Sequence, residues 1–238
     1  MPSSPKTRPT GTPREPRSSP TARRPRDADA TRELLLTTAE EAFTSSGFDG
    51  ARVDDIAERA RVNKRMIYVY FGDKEGLYAS VLRRAFARIA RRAKVNEIPD
   101  VDPAERLRRW IHDYFCFLGR QPELVRLAEW EALADGSRAA SALLEVAQQE
   151  LVDLTALLNA GVTAGRFRAD LKPEQALMAI HGLCFGTLSR RRLWNSLWQL
   201  DLDEPSVLDS TAEFLAEVVL GGIGVRSTAD PLTRSTSA

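Results

Sequence analysis

Four stretches of this chain open on a proline and then repeat apolar side chains three and four residues apart: Pro103–Arg120, Pro122–Ala134, Pro173–Leu197 and Pro205–Leu220. That spacing is the signature of a helix with one buried face. At the first helical position the backbone N–H has no partner to lose, so proline is tolerated there. A fifth stretch, Ser137–Ala164, has the same period, and Gly136, Gly165 and Gly221 read as breaks. No alternating strand pattern, internal repeat or Asn-Gly hairpin signal competes with this reading. The expected fold is all-α.

The first third of the chain is also helical, in shorter pieces. Leu35, Ala39, Ala42 and Phe43 form one apolar stripe in a helix expected from about Ala30 to Gly47. A second helix is expected over Val53–Arg59, turning Ile56, Ala57 and Ala60 inward. After a short break a third starts near Asn63, whose side-chain oxygen suits an N-cap. Asp73 suits the cap of a fourth, which runs through Leu77, Val81, Leu82, Ala85, Phe86 and Ile89 to about Lys94. Residues 1–28 hold seven of the thirteen prolines with many Ser, Thr and Arg. Such a segment buries too little apolar surface to offset chain entropy and reads as a disordered arm. Residues 223–238 read as a loose tail.

Charge is distributed unevenly although the chain as a whole carries only +1. Residues 1–28 carry net +5, residues 29–94 net +3, and residues 95–238 net −7. A basic end facing a polyanion, with an acidic body facing away, fits this asymmetry. Two cysteines do not make a secreted disulfide framework. No apolar run reaches the roughly 20 residues of a membrane span, and the opening MPSSPKTRPT lacks a signal's apolar core. A soluble, cytoplasmic protein with no membrane partner is expected.

Two short helices joined by a tight turn outline a helix-turn-helix. With Ile67 taken as the inward position and about 100° per residue, Arg65 and Val69 point outward, flanked by Met66 and Tyr68. Phe71 falls beside Ile67, and Tyr70 lies near that edge as either a core aromatic or an outer contact. Arginine forks, lysine charges and phenolic hydroxyls suit phosphates and base edges.

The string GFDGARVDDIAERARVNKRMIYVYFGDKEGL, residues 47–77, resembles the DNA-binding domain of the TetR family of transcriptional regulators. The resemblance rests on Gly47, Val53, Ile56, Ala57, Ala60, Val62, Lys64, Ile67, Tyr68, Phe71, Lys74, Glu75 and Leu77. It implies a DNA-binding domain over residues 29–78, with the connecting helix continuing to 94. It further implies an effector-binding and dimerisation domain over 95–222, a homodimer, and a double-stranded operator as partner. The expected DNA-binding residues are Arg52, Asn63, Lys64, Arg65, Met66, Tyr68, Val69, Tyr70 and Lys74, with Tyr68 and Lys74 on phosphates. Arg61 stands where the family commonly has Gly, Arg65 where Gly or Ala is usual, and Asp54 where a base is frequent. The last two helical segments are expected at the dimer interface, with Leu215 either there or in the subunit's own core.

Trp110, Tyr114, Phe117, Trp130, His181 and Phe185 are the candidate lining of a pocket for a small-molecule effector, by the same resemblance. Trp194 and Trp198, after the arginines of SRRRLWNSLW, are expected in an interface or the core. Arg83, Arg84, Arg88, Arg91 and Arg92 read as a solvated face. The only two histidines and two cysteines pair as His112/Cys116 and His181/Cys184. Each pair shares a helical face and the four make a workable zinc set; ordinary core packing is the preferred reading, with no cofactor. No Gly-rich phosphate loop, G-x-S-x-G or H-E-x-x-H supports an enzyme. A ligand-responsive repressor is expected, with a non-specific DNA-coating protein as the alternative.

Overall fold

The computed structural model describes residues 25–92, 101–134 and 136–225. These form ten helices: α1 Pro25–Gly50, which breaks at Gly47 (φ 67°, ψ −175°) as the sequence suggests, α2 Val53–Arg59, α3 Arg65–Phe71, α4 Lys74–Arg92, α5 Pro103–Gly119, α6 Pro122–Leu133, α7 Ser137–Thr163, α8 Pro173–Ser189, α9 Arg191–Trp198 and α10 Pro205–Ile223. All four prolines found in the sequence patterns open their helices. A single antiparallel bridge, Phe167 to Gly224, is the only strand-like pairing among the described residues.

The N-terminal helices close on Leu35, Ala39 and Phe43 of α1, Ile56 of α2, Ile67 of α3, and Leu77, Tyr78 and Val81 of α4, all buried. The Tyr78 ring meets Phe43 edge-on at 4.7 Å and Phe48 at 5.1 Å. Helix α4 then runs on to pack against α5, α6 and α7, so one rigid rod joins the two halves. In the C-terminal half α5 and α10 form the most extensive helix pair. Their buried faces carry Leu107, Ile111, Phe115 and Leu118 from α5, and Leu208, Ala212, Leu215 and Val219 from α10. Burying each such side chain contributes about 1.5–3 kcal/mol.

Of the arginines of α4, Arg83 is exposed as expected, but Arg84 and Arg88 are not part of a solvated face. Arg84 and Arg88 both reach Glu40 of α1, each at 2.5 Å, and Arg84 also meets Glu33 at 3.4 Å and Thr37 at 3.2 Å. Glu40 is buried, so two guanidiniums neutralise one carboxylate across the α1–α4 contact. The side chains of Arg91 and Arg92 lie outside the described residues.

Several boundaries differ from the sequence reading. Helix α1 begins at Pro25, so the last four residues of the expected arm are helical; residues 1–24 lie outside the described residues. The stretch from Pro173 is two helices, broken at Arg190 (φ −100°, ψ 15°). There Trp194 Nε1 donates to Thr187 O at 2.9 Å and Arg191 Nη2 to Gly119 O at 2.9 Å, which fixes the turn. Helix α10 continues through Gly221 and Gly222, and Arg168 N donates to Ile223 O, so the expected tail starts in a pinned segment. Residues 226–238 and 93–100 lie outside the described residues.

Two outer faces remain apolar. Met178 of α8 is 70 % exposed and Phe214 of α10 is 61 % exposed, with Val218 beside it in sequence phase. Leu215 faces its own subunit and is buried, which settles its two sequence readings in favour of the core. Trp194 and Trp198 stack with centroids 5.2 Å apart; Trp194 packs on the core while Trp198 is exposed.

Candidate nucleic-acid interface and ligand cleft

The turn between α2 and α3 is built from backbone chemistry. Arg61 N donates to Glu58 O at 2.9 Å and Val62 N to Ala57 O at 3.0 Å, the paired bonds of a Schellman cap. That motif needs a left-handed residue, and Arg61 supplies it at φ 53° at a cost of about 1–2 kcal/mol. Asn63 Oδ1 then accepts from Arg65 N at 2.9 Å and starts α3. At the far end Asp73 Oδ1 accepts from Gly76 N at 2.7 Å and starts α4. A Cβ on Gly76 would lie 2.0 Å from Phe71 O, so this corner closes only around glycine.

Held between these caps, α3 docks through Ile67, which is fully buried, while Val69 is 63 % and Tyr68 47 % exposed. Arg65 is exposed and, among the described residues, no carboxylate pairs with it. Met66 and Tyr70 are half-buried and lean on the core, whereas Arg65, Tyr68 and Val69 are exposed. Other cations nearby are partly engaged. Lys64 Nζ sits 2.7 Å from Asp54 Oδ1, and that hydrogen bond raises the ammonium pKa. Lys74 Nζ lies 4.6 Å above the Phe48 ring. Arg52, just ahead of α2, is extended, exposed and makes no side-chain cap.

A cleft of about 790 Å³ opens where the two halves meet. Thr44 and Ser45 of α1, Trp130 of α6, and His181 and Phe185 of α8 line it. Thr44 Oγ1 is buried there with no partner among the described residues. An adjoining cavity of about 270 Å³ shares His181 and Phe185 and adds Phe86, Ile89, Tyr114 and Glu150. Tyr114 stacks on His181 at 5.3 Å, and His181 Nε2 reaches Glu150 Oε1 at 3.2 Å. Burial, then the Glu150 charge, pushes the Tyr114 phenol well above its ordinary pKa, so its hydroxyl stays neutral.

Of the six aromatic candidates, Tyr114, Trp130, His181 and Phe185 therefore surround this space. Trp110 is buried behind Tyr114, stacked at 5.7 Å. Phe117 does not belong to it; it lines a separate cavity with His112 and Cys116. Phe86, Ile89, Thr44 and Glu150 were not among the sequence candidates for the pocket, because a residue on the inner face of a helix gives no sign of whether it meets a void or a neighbour.

The seat of α1 on α6 lies at the edge of the cleft. Trp130 Nε1 donates to Thr44 O at 3.1 Å. Gly47, at φ 67°, lies so close that an added Cβ would be 2.9 Å from the Trp130 ring. At the next position of α6, buried Glu131 accepts through Oε1 from Tyr78 Oη at 2.6 Å, pinning α4 to α6. Burial and this bond hold the Tyr78 phenol well above its usual pKa.

The four-residue zinc set does not assemble. His112 and Cys116 face α10, where His112 Nε2 is 3.0 Å from Asp209 Oδ1, whereas His181 stacks on Tyr114. Positions 112 and 114 are about 200° apart around a helix, so the two pairs lie on different sides of α5. Cys184 is fully buried and its thiol is pushed up to about 12 by that burial.

A helix-turn-helix with an outward basic and phenolic face, joined by a rod to a helical body holding a cleft, defines a DNA-binding transcriptional regulator. Residues 35–81 match the pattern of bacterial regulatory proteins, tetR family, and residues 103–219 match the tetracyclin repressor-like C-terminal domain. The HTH-type transcriptional repressor NicS of Pseudomonas putida is 30% identical over 202 residues, spanning 84% of this chain and 95% of the relative. The HTH-type transcriptional activator FasR of Mycolicibacterium smegmatis is 28% identical over 208 residues, 87% of each chain. A bacterial regulatory protein of the TetR family from Rhodococcus RHA1 shares the fold with a TM-score of 0.68 at 18% identity, covering 83% of this chain and 98% of that one. The chain belongs to the TetR family.

Proposed function

We propose that the protein is a homodimeric, cytoplasmic repressor that leaves its operator when a small molecule occupies the cleft, and that it carries out no catalysis. The observation that carries this reading is the position of Trp130. It lines the cleft and also seats Thr44 and Gly47 at the end of α1, the helix that leads into the helix-turn-helix. A ligand that moves Trp130 moves the platform on which α2 and α3 stand. It shifts the equilibrium only by its differential affinity for the two arrangements.

Dimerisation is supported by the exposed apolar outer faces of α8 and α10, which one chain leaves in water. Two copies paired there would present two α3 helices to half-sites about 34–36 Å apart. Repression is supported by the name of the Pseudomonas relative. Selection of duplexes from a random pool with purified protein should converge on one inverted repeat. Failure to converge, with binding governed by salt alone, would favour a non-specific DNA-coating protein.

A further inference from the structure

We propose that His112, Cys116 and Asp209 form a zinc site that joins α5 to α10. His112 and Cys116 stand four residues apart on α5, and Asp209 comes from the second turn of α10. Three different donor types converge on one place: imidazole nitrogen, thiol sulfur and carboxylate oxygen, all within 4.8 Å of one another. His112 Nε2 is 3.0 Å from Asp209 Oδ1 and 3.9 Å from Cys116 Sγ. Donor atoms about 2.0–2.3 Å from a tetrahedral zinc ion stand about 3.3–3.8 Å apart, so small side-chain rotations bring these three onto one ion.

A hydrogen-bond network explains this cluster less completely. One imidazole nitrogen holds at most one proton. It donates to the carboxylate or accepts from the thiol, but does not do both at once. A cation at the shared point satisfies all three groups together. The remainder of the surroundings also suits a metal. Asp113 Oδ1 lies 3.4 Å from His112 Nδ1, on the side away from the cluster, where a carboxylate orients a ligating ring. A cavity of about 380 Å³ lined by Phe117, Arg120 and Gln121 borders the site and leaves room for a fourth, exchangeable ligand. The mixed nitrogen, sulfur and oxygen set favours zinc over the harder magnesium and calcium ions.

This site lies across the α5–α10 pair, whose outer side carries Phe214, so metal would stiffen the helix proposed to meet a second copy. The test uses full-length, untagged protein stripped with a chelator and dialysed. Zinc sulfate is titrated by calorimetry, and cobalt chloride serves as a visible probe. One equivalent of either ion per chain is expected, with a tetrahedral cobalt spectrum that includes a thiolate charge-transfer band. Cys116→Ser should abolish that band, and Asp209→Asn and His112→Gln should each weaken zinc by at least about tenfold. Because Cys116 is buried, circular dichroism accompanies each variant; if Cys116→Ser misfolds, exposed Asp209→Asn decides alone. Absence of stoichiometric binding to the parent chain, or binding that Asp209→Asn leaves unchanged, would overturn the proposal.

Discussion

Arg65 and Arg84 carry the same guanidinium in opposite settings. Arg65 stands in solvent at the start of α3, and its fork matches the paired acceptors of guanine in the major groove. Replacing it with alanine should leave the thermal midpoint unchanged and cost about 1–3 kcal/mol of discrimination at one base pair per half-site. Arg84 instead closes on Glu40 with Arg88. Glu40→Gln should destabilise the protein by about 1–3 kcal/mol in denaturant titration, because two half-buried cations lose their counter-charge. The figure is held below that of a fully buried pair because both arginines keep part of their surface in water. Nothing local in the sequence distinguishes these arginines. Arg83, Arg84 and Arg88 read as a charged stripe, and the carboxylate that claims two of them lies more than forty positions earlier. Arg61 was partly legible: it stands where the family commonly has Gly, and it has the left-handed φ of 53° that a glycine would adopt freely. Arg61→Gly should therefore raise stability by about 0.5–1 kcal/mol, the left-handed cost offset in part by a more flexible unfolded chain.

Among the elements, those with local start signals could be read closely. Asn63 and Asp73 cap α3 and α4 as their side chains suggest, and prolines mark the starts of α5, α6, α8 and α10. The missed break between α8 and α9 lies in a run of arginines, good helix formers that carry no stop signal. Tertiary bonds from Trp194 and Arg191 impose it. The junction of α1 with α6 was equally hidden, since Gly47 reads as a simple terminator and Trp130 as one aromatic among many. Gly47→Ala places a Cβ against the Trp130 ring and holds a non-glycine residue at φ 67°. It should cost about 2 kcal/mol or more in thermal unfolding. A wild-type unfolding curve for Gly47→Ala would show that α1 is not seated on Trp130 in solution.

The whole molecule poses the question of what covers α8 and α10. Phe214 is exposed on one chain and Leu215 is enclosed, so adjacent substitutions separate two outcomes. Phe214→Glu should give a folded monomer by light scattering, with weakened binding to a two-half-site operator. Leu215→Glu should unfold the C-terminal half, because an unpaired charge then sits in the α5–α10 core. A Phe214→Glu protein that remains a full-affinity dimer would move the interface elsewhere. The charge asymmetry read from the sequence belongs to this scale too, a basic N-terminal third ahead of an acidic body; each phosphate that the basic third neutralises should add about one unit to the salt slope of DNA binding.

The central claim is that α3 reads a sequence while the rest of the basic surface only holds the duplex. Its most direct measurement is the affinity of the parent protein and of Arg65→Ala for the selected inverted repeat, for each single-base variant of it, and for a scrambled duplex at one fixed salt concentration. The parent should bind the repeat at least about 10³-fold more tightly than the scrambled duplex. Arg65→Ala should erase the preference at one position in each half-site and preserve it at the others. Equal affinities for repeat and scrambled DNA, or a uniform loss in Arg65→Ala with every base preference intact, would contradict it.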